Sequence, residues 1–348
     1  MPLEDSGAYG DRPAWPAEPA PEPSPHAAGL DWLAAESTNL VVVIEQACDH
    51  GLVEEAWGLA RALHPYYDTG RRDDELTQTS TALRTAAGRA GHAAAEACAL
   101  IGLAGAAANR GDLEDCYGLH AIASELSDRS GLTRSMVVSS HQMASVLRLS
   151  GRLAEAGRVS QESMRRASAL GDRDLVIACA CESSPVAVAS GDPASALRLL
   201  CTVAGGLASL PATRRSAIVA LRFAQAHRAL GEIDAAREYL DFALDLVKVL
   251  GDKVGQGYIQ LELGHLAHAA GALALAEARF REARLALAAA DRPTGEAKAL
   301  GALARVQTQR GLPDTASRAP HEALAAIEGI QAGNLVTELH RELLLLTL

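Results

Sequence analysis

Glycine recurs every forty residues along most of this 348-residue chain, at Gly111, Gly151, Gly191, Gly231, Gly271 and Gly311, with Gly51 sixty residues ahead of the first. Self-similarity at a fixed period is the mark of stacked repeats, in which each unit buries its apolar face only against its neighbours. Midway between these glycines runs a second series, Gly91, Gly131, Gly171 and Gly251, with Pro211 and Asp291 in the two slots where glycine is missing. The chain is thereby cut into segments of about twenty residues, rich in Ala and Leu and almost free of internal proline. Each ends in a residue suited to the left-handed position that closes a helix, which predicts helices of roughly seventeen residues joined by tight turns.

The entry signals agree. An acid follows several stop glycines, at Asp112, Asp172, Asp192, Glu232 and Asp252, where a carboxylate caps free N–H groups and favours the positive end of the helix dipole. Pro193 stands at a first helical position, where a missing N–H costs nothing. Pro185 and Pro320 fall inside predicted helices, and each is expected to introduce a kink.

A period near forty fits HEAT or armadillo repeats on length, whereas a tetratricopeptide repeat is about 34 residues. The small residues decide otherwise. Leu263-Gly264, Ala276, Phe280 and Ala283 resemble the Leu-Gly, Ala, Phe and Ala marks of the tetratricopeptide pattern at its usual offsets. The same slots hold Ala224, Ala236, Leu240 and Ala243, then Ala144 and Ala156, then Ala304 and Ala316. Gly264 and Ala276 fall where paired helices cross, and only a tiny side chain lets two backbones approach to about 8–10 Å. The fold class expected is all-α, a right-handed superhelical solenoid of antiparallel helix pairs built from lengthened tetratricopeptide repeats. The expected domains are a disordered proline-rich leader over 1–29, a helical cap and atypical first repeat over 30–90, the repeat array over 91–330 and a capping helix over 331–348.

Composition narrows the function. With a formal net charge of −11 and no basic run, direct nucleic-acid binding is disfavoured. Nowhere do eighteen apolar residues run together and the N-terminus lacks a signal-peptide pattern, so a soluble, cytoplasmic chain with no membrane partner is expected. Aromatics are only 3% of residues, so the cores must be packed from Ala, Leu and Val. Six cysteines, at 48, 98, 116, 179, 181 and 201, show no metal-like CxxC pair and are expected to act as small apolar residues in a reducing compartment. Cys179 and Cys181 point to different helix faces, which argues against a redox pair. Only three of 32 basic residues are lysine and alanine is abundant, a bias of high-GC bacterial genomes.

The front end carries a more specific resemblance. Trp32-Leu33, Glu36, Asn39-Leu40, Gly51, Ala56-Trp57 and Leu59-Ala60, followed by Leu63-His64-Pro65-Tyr66-Tyr67, resemble the segment that opens the C-terminal repeat region of AfsR-like, SARP-type bacterial transcriptional regulators. Their tetratricopeptide sensor array is related to that of MalT-like regulators. The resemblance implies a regulatory sensor module and spans roughly residues 30–330, only the third part of that architecture. No phosphate-cradling G-x-x-x-x-G-K-[ST] occurs, so neither ATP hydrolysis nor DNA binding is expected of the residues present. Trp32, Trp57, Tyr66 and Tyr67 either pack an N-terminal cap or form a patch that docks a switch domain.

The tetratricopeptide resemblance also implies an inner wall lined by the first helix of each repeat. Aligned on Gly264, that wall includes His141, Arg148, Gln225, Arg228, Tyr258, His265, His268, Lys298 and Arg305. None of the positions assigned in this way is Asp or Glu, although the chain is acidic overall, which predicts a groove selective for carboxylates or another anion. Earlier repeats offer apolar wall positions, Cys98, Ile101, Ala178, Cys181 and Val188, so a small-molecule effector is the alternative ligand. A scaffold or oligomer subunit joined through Leu343–Leu346 is the third reading. His265 and His268 share a helix face without a third ligand, a weak metal motif, and no catalytic motif appears. The expected protein is a non-catalytic interaction and sensor module of a bacterial transcriptional or signalling regulator, using no cofactor and binding a protein or peptide partner, by preference an acidic one.

Overall fold

The computed structural model describes residues 26–70, 72–204 and 213–326. Among the described residues there are fifteen α-helices: α1 His26–Asp49, α2 Val53–Thr69, α3 Asp73–Ala90, α4 Ala93–Arg110, α5 Leu113–Arg129, α6 Thr133–Leu149, α7 Leu153–Ala169, α8 Arg173–Ala189, α9 Pro193–Ala204, α10 Arg214–Ala229, α11 Ile233–Val249, α12 Lys253–Ala269, α13 Leu273–Ala289, α14 Pro293–Gln309 and α15 Pro313–Ala326. No strand occurs among them, and neighbours in sequence pack on one another, as α3 on α4, α10 on α11 and α12 on α13. The fold class is that of a helical solenoid. α1 begins at His26 and so takes in the last four residues of the expected leader. The rest of that leader, the Pro211 slot and the expected capping helix over 331–348 lie outside the described residues.

The turns follow the punctuation. Every glycine of the two series adopts a left-handed backbone, from φ +67 at Gly91 to φ +82 at Gly191, and so does Asp291 at φ +51. At the turn between α11 and α12, Gly251 N donates to Lys248 O (3.1 Å) and Asp252 N to Val247 O (2.9 Å), closing one helix. Asp252 Oδ1 then accepts from Gly255 N (2.8 Å), opening the next. Asp112, Asp172 and Asp192 cap in the same way, each at 3.0 Å. Glu232 is the exception: its side chain makes no capping bond and pairs with His227 Nδ1 at 2.6 Å instead. α8 and α15 run on past Pro185 and Pro320, and α2 contains a third internal proline, Pro65.

The chain divides into two compact units, the first taking in the chain up to Val146 with Arg158–Cys179, the second Leu147–Gly157 with the chain from Ala180 onward. In the first, Ile44, Trp57, Tyr67, Leu83 and Ala99 share one buried cluster, and Leu100, Val137, Ala167 and Leu175 another. In the second, Ala224, Ala236, Leu240 and Leu266 form one core and Ala276, Phe280, Ala283, Leu300 and Ala304 the next. A Cβ on Gly264 would stand 2.5 Å from two ring carbons of Phe280. The Leu-Gly to Phe match is thus a physical contact between α12 and α13.

Candidate partner-binding groove

The second unit holds a cavity of about 620 Å³ walled by residues of alternate helices. Arg148 comes from α6, Glu182 and Pro185 from α8, Arg214, Leu221, Arg222 and Gln225 from α10, Tyr258, Glu262 and His265 from α12, and Lys298 and Arg305 from α14. These are the first helices of successive repeats. Their register is set by the left-handed turns, so each contributes residues from the same face.

Of the wall residues expected from sequence, Arg148, Gln225, Tyr258, His265, Lys298 and Arg305 line this cavity. Arg228 joins it through Glu262, whose Oε2 stands 3.4 Å from Arg228 Nη2. The others go elsewhere. His268 Nε2 meets Gln309 Oε1 at 2.9 Å and does not line the cavity. His141 is buried in the first unit beside His120. The ring of His265 meets Phe280 edge-on at 5.0 Å.

The expectation of an acid-free wall is corrected. Glu182, Asp252 and Glu262 all line the cavity, against the cations Arg148, Arg214, Arg222, Lys298 and Arg305. Arg222 and Glu262 each lie three residues ahead of an assigned wall position, Gln225 and His265. Spacing of three on a helix shares a face, so both were within reach of the sequence had the wall been read as a stripe rather than as single slots. A polar ladder results: Arg222 Nη2 stands 3.8 Å from Glu182, Arg222 Nη1 donates to Gln225 Oε1 (3.1 Å), and Gln225 Nε2 donates to Glu262 Oε1 (2.7 Å). It ties α8, α10 and α12 together. Arg214 Nε stands 3.2 Å from the capping Asp252.

Electrostatics sharpen the site. Burial lowers the pKa of the Arg148 guanidinium; Glu182 opposes this and the charge on Arg222 adds to it. Burial pulls His265 down to about 4, opposed by Glu262 and reinforced by Arg228 and Arg305. His265 is therefore neutral at pH 7 and offers one donor and one acceptor.

Of the two readings of the front-end aromatics, burial favours packing for three of the four, and the apolar half is corrected. Trp57, Tyr66 and Tyr67 are buried, with Trp57 edge-on to His92 at 5.2 Å and the Arg72 guanidinium 5.1 Å over the Tyr66 ring. They pack the core of the first unit and cannot form a docking surface; Trp32, 57% exposed, is the member left at the surface. Cys98, Ile101 and Cys181 are buried rather than lining an open apolar channel. Five of the six cysteines are buried, and Cys201 is exposed. No helix among the described residues is long and apolar enough to cross a membrane.

No protein-family model and no curated protein matches the sequence. Solved structures do. A signal transduction ATPase with numerous domains and a tetratricopeptide repeat sensor, from Pyrococcus horikoshii, superposes with a TM-score of 0.59 at 13% identity, over 90% of this chain and 51% of its own. The chain thus spans about half the length of that protein. A Rap protein complexed with competence and sporulation factor gives 0.61 at 13% identity, over 82% and 76% of the two chains. The Rap conjugation gene regulator of plasmid pLS20, in complex with a Phr peptide, gives 0.58 at 12%, over 83% and 76%. At such identities the likeness is one of fold, and the fold it establishes is the helical solenoid of tetratricopeptide-repeat proteins.

Proposed function

We propose that this chain is a non-catalytic binding and sensor module of a bacterial transcriptional or signalling regulator, and that an acidic protein or peptide segment occupies the cavity of its second unit. The observation that carries the reading is the wall itself, where alternate helices bring five cationic and three carboxylate side chains around about 620 Å³. Sites for small or segmental ligands commonly enclose roughly 300–1,000 Å³. A positive cavity in a chain of net charge −11 favours anionic ligands by steering and by selectivity. Rap proteins of the same fold were solved with competence and sporulation factor in one case and a Phr peptide in the other, and the Pyrococcus horikoshii ATPase carries a tetratricopeptide repeat sensor; both support a regulatory binding role. The mechanism is a population shift, in which a segment that prefers one arrangement of the wall helices stabilises it.

The test is selection of a random peptide-display library on the immobilised chain, followed by binding to an Arg148→Glu, Arg305→Glu variant whose helicity is verified by circular dichroism. Enriched peptides should be rich in Asp and Glu and bind the variant at least about ten-fold more weakly, since hydrogen bonds to charged groups are worth roughly 1.5–3 kcal/mol each. Equal binding to both proteins, or no enrichment, overturns the reading.

A further inference from the structure

The lining of the cavity is sorted along the helices. Each tight turn reverses the chain, so α8, α10, α12 and α14 run the same way, and residues forty apart in sequence stand at the same level. Toward the N-terminal ends of α10 and α12 the wall is apolar, with Ala217, Ile218, Leu221, Val254 and Ile259 beside the ring of Tyr258. Toward their C-terminal ends it is polar, with Arg222, Gln225, Glu262 and His265, joined at the same levels by Glu182 of α8 and Arg305 of α14. Pro185 is the apolar side chain at the polar level, and Lys298 borders the apolar half from α14. The pair of Arg214 and Asp252, 3.2 Å apart, closes the far edge of the apolar half. Ala217 and Ile259 are buried and form its floor, whereas Ile218 is 37% exposed and opens to solvent.

We propose that the cavity takes an extended peptide segment that carries an apolar side chain two residues away from a carboxylate. The idea rests on the proposed use of the cavity for acidic segments, and it adds what must accompany the acid and at what spacing. Ile218 and Arg222 are four residues apart and Tyr258 and His265 seven, which at about 1.5 Å per residue sets the apolar and polar levels roughly 6–10 Å apart. In an extended chain, residues i and i+2 share a face and stand roughly 6.4–6.8 Å apart, while i+1 points the opposite way. A spacing of two therefore reaches both levels from one side of the segment, and adjacent residues do not. The sign of the charge is set by five cations against three carboxylates in the lining. The apolar half then discriminates among acidic segments, because only one that brings an aliphatic or aromatic side chain covers Ile218 and Leu221.

The test titrates four acetylated, amidated peptides into the ¹⁵N-labelled full chain and reads dissociation constants from NMR shifts. Ser-Gly-Leu-Gly-Glu-Gly-Ser and Ser-Gly-Glu-Gly-Leu-Gly-Ser carry the spacing in the two chain directions. Ser-Gly-Gly-Leu-Glu-Gly-Ser has the same composition with the two residues adjacent, and Ser-Gly-Ser-Gly-Glu-Gly-Ser lacks the apolar residue. One of the spaced peptides should bind about ten-fold more tightly than either control, the difference expected for covering one leucine side chain. Two variants with helicity verified by circular dichroism complete a cycle between protein and peptide. Ile218→Asn should abolish the advantage of leucine over serine, whereas Arg305→Gln should weaken both peptides by a similar factor and leave that advantage intact. Equal binding of the spaced and adjacent peptides, an undiminished leucine advantage in Ile218→Asn, or no binding of any peptide overturns the proposal. Display-selected peptides rich in acids but without an apolar residue at this spacing would overturn it too, while leaving the groove reading standing.

Discussion

At the scale of single residues, the most consequential side chains are polar groups enclosed by small apolar ones. His120 is buried in the first unit, and burial, followed by the charges of His141 and His64, pulls its pKa from 6.5 to about 3. Between those two values the unfolded chain binds a proton that the folded chain does not, so stability is lost as pH falls from about 6.5 toward about 3. His265, pulled down to about 4, acts in the same direction in the second unit. The urea midpoint should therefore fall between pH 7.5 and pH 5, and His120→Asn should reduce that fall; a midpoint unchanged over this range would contradict the burial of neutral imidazoles. Nothing in the sequence marks His120, because its neighbours His64 and His141 are distant along the chain and meet it only through packing.

At the scale of the helix and its turns, sequence and structure agree most closely, because turn chemistry is local. A left-handed backbone must be supplied by glycine or a tolerant residue such as aspartate, so the glycine series and Asp291 could be read without knowing what the helices touch. The same holds for the capping aspartates. Asp252 shows what such a residue contributes, since it caps α12 through Gly255 and also faces Arg214 on α10. Asp252→Ala should cost about 1–2 kcal/mol, a cap plus a partly buried pair, while Asp252→Asn keeps the cap and should cost less; chemical denaturation of both variants checks the order. The wall of the groove was legible only in part. Slots equivalent to one another along the repeats were found, yet Glu182, Arg222 and Glu262 occupy faces whose exposure depends on how consecutive repeats stack. The front-end aromatics stayed open for a related reason: Trp57 and Tyr67 are as suited to an interior as to an interface, and only neighbours on other helices decide between the two.

At the scale of the whole molecule, stability is expected to be distributed as in other linear arrays, with each repeat supported by its neighbours. Filling the gap at Gly264 tests this. Gly264→Val forces Phe280 aside, since even a Cβ would stand 2.5 Å from its ring, and should cost about 1–3 kcal/mol. Native-state hydrogen exchange should show the loss in α12, α13 and adjoining helices, with protection in α1–α4 unchanged; a uniform loss would point to one cooperative block. The regular turns have a further consequence for inheritance. Gly231 and Gly271 hold the same left-handed conformation forty residues apart, so unequal crossing-over between their codons would join α10 directly to α13 across an intact turn. A lineage could in this way gain or discard a copy of the stretch that holds Asp252, Tyr258, Glu262 and His265, and so rebuild the lining of the cavity by changing copy number rather than by point substitution.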